Sequence, residues 1–343
     1  SNKITAYFEE AEYYNPDIYS LKGSNALGTE FYTPFQNEWN NGNYTPQPYS
    51  GFIITATQNN TTVNLNLTSG IFNDPGGTIV LDKGETFSCV ANSTAGPNHL
   101  AGSHVTSDKP IAITIYDDSS THPAVPSHCR DLIGDQIVPT DAIGQEYIAM
   151  RGELNSHEKV FIVGTQDNTP IMIDSVFVDT IDAGETLSYT LTQDATHIKG
   201  FKPVYALHVS GYGCEVGGAL LPTIDGCTGS YDVYITRTST QSFFLNMMIE
   251  KTAAVNEFYI EYEDGTVEHI PDEWFVDVPN TPLGDEWVAL GGAQYDGTFD
   301  GQGFQYNGLG QPIRIGIPFN EVVHIYNNGG EPFHLGFNNG GTS

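Results

Sequence analysis

The stretch Ala56-Thr57-Gln58-Asn59-Asn60-Thr61-Thr62-Val63 decides the fold, because it recurs as Gly164-Thr165-Gln166-Asp167-Asn168-Thr169-Pro170-Ile171. Three further segments recur in the same order: residues 81–88 as 181–188, residues 109–112 as 202–205, and residues 134–139 as 217–222. The offset shrinks from 108 residues at the first match to 83 at the last. Kept order with shrinking spacing is typical of a duplicated unit whose loops have been shortened. Residues that both copies share are therefore expected to be structural.

Both copies have the pattern of β-strands joined by short turns. In residues 61–67, Val63, Leu65 and Leu67 alternate with polar residues, which places them on one face of a strand. The chain has 19 Tyr and 18 Phe, which suit pleated surfaces, and 37 Gly and 19 Pro, which suit turns. The sequence predicts an all-β protein.

A third, degenerate copy is predicted after the first two. Residues 258–267 have the strand–turn–strand pattern of residues 56–63, and residues 324–326 and 331–337 resemble residues 104–105 and 109–113. The spacing favours tandem β-sandwich or jelly-roll-like repeats, two clear and one degenerate, over propeller blades. The predicted bounds are a leader with one strand near residues 4–8 (1–27), repeat 1 (28–140), repeat 2 (141–240) and repeat 3 (241–343).

The charge of the chain excludes several partners. There are 42 acidic and 12 basic residues, which give a net charge of -30. Such a chain repels phosphate backbones and anionic membranes, so we expect it to bind no nucleic acid. No run of about 18 apolar residues occurs, so no direct insertion into a membrane is expected. The acidic surplus has two interpretations, cation binding or solubility outside the cell, and a solvated acidic surface is the simpler one.

Two groups of segments carry a family resemblance. The first comprises residues 104–113 (HVTSDKPIAI) and 129–139 (CRDLIGDQIVP); the second comprises residues 213–222 (GCEVGGALLP), 227–230 and 243–246. Together they resemble the N-terminal domain of the IgGFc-binding protein family, over roughly residues 28–337. The resemblance implies a secreted adhesive or recognition module with no catalytic residues to inherit. The acidic, Tyr-, Asn- and Gly-rich composition favours a bacterial, Bacteroidetes-type member, to which Fc binding itself does not transfer.

Four cysteines could form two disulfides. Cys214 and Cys227 bracket a loop containing Gly and Pro that a bridge would close, and Cys89 would then pair with Cys129. The alternative is that these residues are buried free thiols. No C-x-x-C pair occurs, which argues against a structural zinc site.

One polar stretch concentrates groups that bind metals. The carboxylates of Asp117, Asp118, Asp131 and Asp135 are candidates for a calcium ion, a hard cation that prefers oxygen ligands. Repeat 2 has Ser210-Gly211 where repeat 1 has Asp117-Asp118, so the fold does not require these carboxylates. The alternative is a solvated or hydrogen-bonded loop.

Two other metal interpretations are weaker. His122, His128 and Cys129 lie in the same stretch and would suit zinc. Residues 296–303 resemble Gly- and Asp-containing calcium loops, but a Gly-rich turn is the better interpretation. Calcium is thus the one candidate cofactor, and the sequence predicts no required cofactor.

Two aromatic clusters are candidates for contact with a sugar. Tyr295, Phe299, Phe304 and Tyr306 lie in a loop rich in Gly, Asn and Gln, and Trp39, Tyr44 and Tyr49 lie in another. Sugar sites place aromatic rings against apolar sugar faces and use polar side chains for the hydroxyl groups. The alternative is that these aromatic residues pack loops over the edge of a sandwich.

The sequence predicts a non-catalytic adhesion or recognition module, extracellular or at the cell surface, within a larger protein that has flanking domains. Its expected partner is an extracellular protein or glycan. The first alternative is a carbohydrate-binding module, assisted or not by calcium. The second is a glycan-acting hydrolase, since carboxylates that could act in pairs are abundant. No G-x-S-x-G or H-E-x-x-H motif occurs to support an enzyme.

Overall fold

The computed structural model describes residues 6–10, 17–123, 130–152, 154, 157–212, 215–225, 229–236, 243–281, 286–290, 305–306, 312–313, 317 and 320–339. These ranges contain strands, no α-helix, and short 3-10 helices at Gly23–Ala26, Gly96–Asn98, Ala253–Glu257 and Asp272–Trp274. No helix in them is long and apolar enough to span a membrane. The all-β prediction is confirmed.

A hairpin precedes three copies of one unit. The hairpin consists of β1 (Tyr7–Glu10) and β2 (Asp17–Ser20). Copy 1 contains β3 (Gly28–Tyr32), β4 (Ser50–Ala56), β5 (Thr61–Asn66), β6 (Thr78–Leu81), β7 (Thr86–Val90), β8 (His104–Asp117) and β9 (Ile133–Ile137). Copy 2 contains β10 (Glu146–Met150), β11 (Lys159–Gly164), β12 (Thr169–Ile173), β13 (Val176–Ile181), β14 (Thr186–Thr190), β15 (Ala195–Gly200), β16 (Val204–Tyr212) and β17 (Glu215–Leu220). Copy 3 contains β18 (Asp232–Thr236), β19 (Phe243–Glu250), β20 (Phe258–Glu261), β21 (Val267–Ile270), β22 (Val276–Asp277), β23 (Trp287–Leu290), β24 (Gln305–Tyr306), β25 (Pro312–Ile313), β26 (Val322–Asn327) and β27 (His334–Asn339).

Copy 2 shows the unit most clearly. Its strands form two antiparallel sheets with the orders β10-β15-β12-β13, named sheet I, and β14-β11-β16-β17, named sheet II. Apolar side chains from both sheets fill the space between them, including Val160, Ile162, Ile171 and Ile198. Two sheets packed over one apolar core are a β-sandwich, as predicted.

In copy 1, one long strand belongs to both sheets. The first part of β8 pairs with β3 and β5, and its last part pairs with β4 and β9. The order β3-β8-β5-β6 therefore matches sheet I, and β7-β4-β8-β9 matches sheet II. In copy 2 the chain interrupts this strand at residues 201–203, between β15 and β16.

Copy 3 repeats the same strand order with losses. The order β18-β26-β20-β21 corresponds to sheet I, and β23-β19-β27 to sheet II, with β22 beyond β23. Residues 258–267 therefore correspond to β5 and β6, so their predicted match to residues 56–63 is wrong by one strand. The cause is that the β4–β5 connection and the β5–β6 hairpin have a similar strand–turn–strand pattern in the sequence. In addition, β18 pairs with β26, which starts copy 3 before the predicted boundary at residue 241.

Residues shared by copies 1 and 2 hold turns, as expected of structural residues. Thr57 Oγ1 donates a hydrogen bond to the Pro110 carbonyl at 2.5 Å, and Thr165 Oγ1 donates to the Pro203 carbonyl at 2.6 Å. The matching turns also contain glycines with positive φ, Gly84 at 84° and Gly184 at 80°. The repeated sequence therefore reports repeated backbone geometry.

Copy 2 packs against copies 1 and 3 through the outer faces of its two sheets. Sheet II of copy 2 directs Val160 and Ile162 into its own sandwich, whereas Phe161 and Val163 belong to the core of copy 1. On the opposite side, Ile148 of sheet I lies in one apolar cluster with Trp287 and other residues of copy 3. The three sandwiches are therefore stacked in series through shared apolar contacts.

The leader forms a hairpin rather than the single predicted strand. Its strand β1 overlaps the predicted position, and β2 packs against β9, where the Tyr19 ring is buried beside Gly134. The Tyr7 hydroxyl donates a hydrogen bond to the Tyr234 carbonyl of copy 3 at 3.3 Å. The leader thus contacts both the first and the third copy.

The packing between copies 1 and 2 predicts an unequal effect of two Phe-to-Ala substitutions. Phe161 is fully buried and its ring packs edge-on against Trp39 of copy 1, with centroids 5.4 Å apart. We expect Phe161→Ala to lower the free energy of unfolding by about 3–5 kcal/mol, because it leaves a cavity in the shared core. Urea denaturation measures this change.

The matched control is Phe177→Ala, which removes an exposed ring from copy 2. Surface substitutions of this kind change stability by less than about 0.5 kcal/mol. Equal losses from the two substitutions would contradict the assignment of Phe161 to a core shared between copies.

Candidate functional site

The carboxylate of Asp117 lies inside a buried network of polar side chains. Gln36 Nε2 and Asn41 Nδ2 donate to its two oxygens at 2.5 and 2.7 Å, and His99 Nδ1 lies 3.4 Å away. Burial opposes a charge on His99, but the Asp117 carboxylate, together with hydrogen bonds to the backbone of Gln36 and Thr94, raises the pKa of the imidazole. Because all four side chains are buried, the network holds the loop before β4 against the end of β8.

Asp131 and Asp135 join copy 1 to copy 2. Asp131 Oδ2 accepts a hydrogen bond from the Val216 N–H at 2.8 Å, and Asp135 Oδ2 accepts one from the Leu220 N–H at 2.9 Å. The ammonium group of Lys22 lies 2.6 Å from Asp135 Oδ1. Both carboxylates therefore accept hydrogen bonds from N–H groups of β17. Burial raises the pKa of Asp135, against the opposing effect of Lys22.

The four predicted calcium ligands do not converge on one point. Asp117 bonds within copy 1, Asp131 and Asp135 bond to β17, and Asp118 Oδ1 accepts a hydrogen bond from Ser119 at 2.8 Å. Within the described residues, no group of three or more His, Cys, Asp or Glu side chains could hold a metal ion. Calcium at another position, including residues 296–303 outside the described ranges, stays a prediction.

Of the three candidate zinc ligands, the structure describes only His122. His122 is buried, its Nε2 lies 3.2 Å from the His157 carbonyl oxygen, and its ring packs against Trp39 at a centroid distance of 4.3 Å. Burial lowers the pKa of His122 to about 4. The other two candidates, His128 and Cys129, lie outside the described residues.

Cys89 is a free thiol in the core of copy 1. Burial, with a smaller effect from Asp74, raises the pKa of this thiol to about 12. The predicted Cys89–Cys129 bridge is therefore not formed in this structure, in which Cys89, the fourth of the five residues of β7, lies in the apolar core. Cys129, Cys214 and Cys227 lie outside the described residues, so the 214–227 bridge stays a prediction.

The aromatic residues proposed for sugar contact lie in different environments. Trp39 is buried between copies 1 and 2, and Tyr49 packs edge-on against Phe72, so both serve loop packing, whereas Tyr44 is exposed. Tyr306 lies in β24, which pairs with β25. The remaining three, Tyr295, Phe299 and Phe304, lie outside the described residues.

A different set of residues forms the strongest candidate surface. On the outer face of sheet I, four side chains lie next to one another across the four strands, and we call this set the cross-strand row. The row is Glu30–Thr106–Asn64–Thr78 in copy 1, Glu146–Lys199–Met172–Phe177 in copy 2, and Asp232–Tyr326–Tyr259–His269 in copy 3. The strand pairing makes these positions equivalent, although the sequences differ.

Part of this face is the same in every copy. Each row begins with an acidic residue, and each copy has a His two residues before the second member of the row, namely His104, His197 and His324. These imidazoles lie 2.9, 3.1 and 3.3 Å from carboxylate oxygens of Glu30, Glu146 and Glu261. In copies 1 and 2 this carboxylate is the first member of the row, whereas in copy 3 it belongs to Glu261 on β20, so the His position recurs but its acidic partner changes strand.

Copy 2 differs from copy 1 by a coordinated change to apolar side chains. In copy 1, Asp108 Oδ1 accepts a hydrogen bond from the Thr62 N–H at 2.7 Å. In copy 2 the equivalent residues are Phe201 and Pro170, and proline has no N–H to donate. The result is an apolar edge on copy 2, in which Phe177 is 61% exposed and Phe201 is 50% exposed.

Copy 3 places aromatic rings at the same positions. Tyr259 and Tyr326 lie nearly parallel with centroids 5.7 Å apart, and His269 is 5.2 Å from Tyr259. The three copies therefore present a polar, an apolar and an aromatic version of one surface. The only signal in the sequence is the recurring His–Val/Ile–X triplet at residues 104–106, 197–199 and 324–326.

The chain is thus a repeated β-sandwich scaffold whose copies present one surface with different side chains. In such folds, function lies in the surface residues and not in the scaffold, which is the architecture of a binding module. The profile of the family described as IgGFc binding protein matches residues 19–281, which is most of the chain. The chain therefore belongs to the IgGFc-binding protein family. No curated protein and no solved structure matches it.

The buried imidazole of His122 predicts a loss of stability in acid. Its native pKa is about 4, against about 6.5 in an unfolded chain, so the unfolded state binds the proton more tightly. The free energy of unfolding is therefore unaffected by this group above pH 6.5 and decreases as the pH falls toward 4, where the decrease is roughly 3 kcal/mol. Urea denaturation at pH 7 and pH 4 measures this loss.

The matched comparison is His122→Gln, which cannot take up the proton. We expect the drop in unfolding free energy between pH 7 and pH 4 to be roughly 3 kcal/mol smaller in this variant. His334, whose pKa burial also lowers to about 4, is present in both proteins and cancels. An identical drop in both would show that His122 is not held neutral in the folded state.

Proposed function

We propose that the chain is a non-catalytic extracellular recognition module of a larger secreted or cell-surface protein, and that its ligands are proteins. The observation that carries the proposal is the cross-strand row, because equivalent positions of one scaffold differ in chemistry from copy to copy. Membership of a family of binding proteins supports the same function. The net charge of -30 supports solubility outside the cell.

The contact surface we propose in copy 2 is its apolar edge. The strand β13 is the last strand of sheet I on that side, so among the described residues the backbone groups facing away from β12 have no partner strand. Val176 and Phe177 are more than half exposed. Natural proteins usually protect such an edge with charged residues or cover it, because it can pair with another chain. Here it is a ready site for an added strand.

The occupant that fits this edge is an extended segment of a partner protein with alternating apolar and basic residues. Four carboxylates lie on β13 or close to it along the chain, those of Asp174, Asp179, Asp182 and Glu185. Backbone hydrogen bonds to β13 would give affinity, apolar side chains would pack on Phe177, and Lys or Arg side chains would face the carboxylates. Copy 1 lacks this chemistry, since residues 76–78 there are Gly, Gly and Thr.

Selection from a displayed library of ten-residue peptides tests the proposal. We expect wild-type protein to enrich peptides in which apolar and basic residues alternate. Phe177→Asp should weaken binding of a synthetic peptide from that pool at least tenfold, because it removes the apolar contact while β13 keeps its backbone. Fluorescence anisotropy measures the affinity.

The matched control is Val80→Asp, which alters an exposed apolar residue on the equivalent edge strand of copy 1, β6. Equal weakening by both substitutions would point to the overall charge rather than the edge and would overturn the proposed contact. Enrichment of peptides without the alternating pattern would overturn it as well. Release of reducing sugar from an oligosaccharide panel would contradict the non-catalytic assignment.

A further inference from the structure

The outer face of sheet I in copy 3 carries a continuous band of rings. The band consists of Tyr234, His324, Tyr326, Tyr259 and His269. Neighbouring centroids are 4.2, 4.7, 5.7 and 5.2 Å apart along this order. The rings come from all four strands, and Tyr234 at one end is 46% exposed. We call this set the aromatic band.

The aromatic band is not a requirement of the fold. The Tyr234–His324 stack has a counterpart in copy 1, where Tyr32 stacks on His104 at 4.3 Å, so this pair belongs to the scaffold. Tyr259, Tyr326 and His269 have no aromatic counterparts in copy 1, where Asn64, Thr106 and Thr78 occupy the equivalent positions. The specific part of the band is therefore the part that lies in the cross-strand row.

On the four described strands that carry the aromatic band, the Asp and Glu side chains have no Lys or Arg beside them. Asp232 begins the cross-strand row, and Glu261 lies on the same face beside His324. None of the four strands β18, β26, β20 and β21 contains Lys or Arg. An open pocket at the end of β20 and β21 adds further carboxylates, from Glu263, Asp264, Glu268 and Glu321. This face therefore has a strong electrostatic preference for positive charge.

We infer that the aromatic band binds a segment of a partner protein that carries Lys or Arg side chains. A cation over a Tyr ring is attracted by the negative face of the ring, and nearby carboxylates add to that attraction. Neutral sugars also pack on Tyr rings, but they gain nothing from an acidic surface without a single basic residue on its strands. The inference rests on the proposed function, protein recognition, and assigns it a second site on a different copy.

Binding of short synthetic peptides tests the assignment. The probe is a fluorescent eight-residue peptide of alternating Arg and Gly, and the reference is a peptide with Gln in place of Arg. We expect wild-type protein to bind the Arg peptide at least tenfold more tightly than the Gln peptide at 0.15 M salt. The double variant Tyr259→Leu with Tyr326→Leu should lose at least tenfold in affinity, because it removes both rings and keeps every charge.

Two further variants separate this site from other effects. Tyr44→Leu makes the same chemical change at an exposed Tyr outside the band and should leave the affinity unchanged. Asp232→Asn keeps the rings and should weaken binding severalfold, with a smaller dependence on salt. Circular dichroism establishes that each variant is folded. If the double variant is unfolded, the Asp232→Asn result decides alone.

Three outcomes would overturn the inference. Equal affinities of wild type, the double variant and Tyr44→Leu would mean that the peptide senses only the net charge. No preference for the Arg peptide would remove the cationic ligand. Binding of a neutral oligosaccharide that the double variant abolishes, without binding of the Arg peptide, would make the band a sugar site. None of these results affects the Phe177→Asp test on copy 2, so the two sites stand or fall separately.

Discussion

The structure depends on burying both faces of sheet II in copy 2. Antiparallel sheets often leave one face in water, and their strands then alternate between apolar and polar residues. Residues Val160, Phe161, Ile162 and Val163 of β11 are instead apolar and buried without a break. Because neighbouring side chains point to opposite faces, this strand fills two cores at once. It thereby joins copies 1 and 2 through a single strand.

Sequence reasoning works here where the information is local. The strands, their turns and the duplication follow from short stretches such as residues 56–63 and from turn glycines such as Gly84. The burial of both faces of sheet II in copy 2 is also readable from β11, whose unbroken apolar run differs from the alternation of β5. The weak third copy was matched one strand out of register, because the strand–turn–strand segments of one unit resemble each other and do not identify their position in it.

The candidate site is less predictable because the role of each side chain depends on contacts with residues that are distant along the chain. Asp131 is a candidate metal ligand in the sequence, but in the structure its Oδ2 accepts a hydrogen bond from the Val216 N–H, 85 residues later. Trp39 reads as an exposed loop aromatic until Phe161 covers it. The cross-strand row joins side chains from four strands, so it becomes visible only when strand register is known. Comparison of the copies then separates what the scaffold needs from what each copy adds.

The hydrogen bond between Asp135 and the Leu220 N–H has a consequence for the order in which the copies fold during synthesis. Copy 1 leaves the ribosome first with β9 as an edge strand, on which Asp135 pairs with Lys22, and the β17 amides that later bond to Asp131 and Asp135 have yet to be made. A growing chain with charges on that edge resists pairing with its neighbours. When β17 arrives, its amides bond to the same two carboxylates, so copy 1 is completed only after copy 2 has been made.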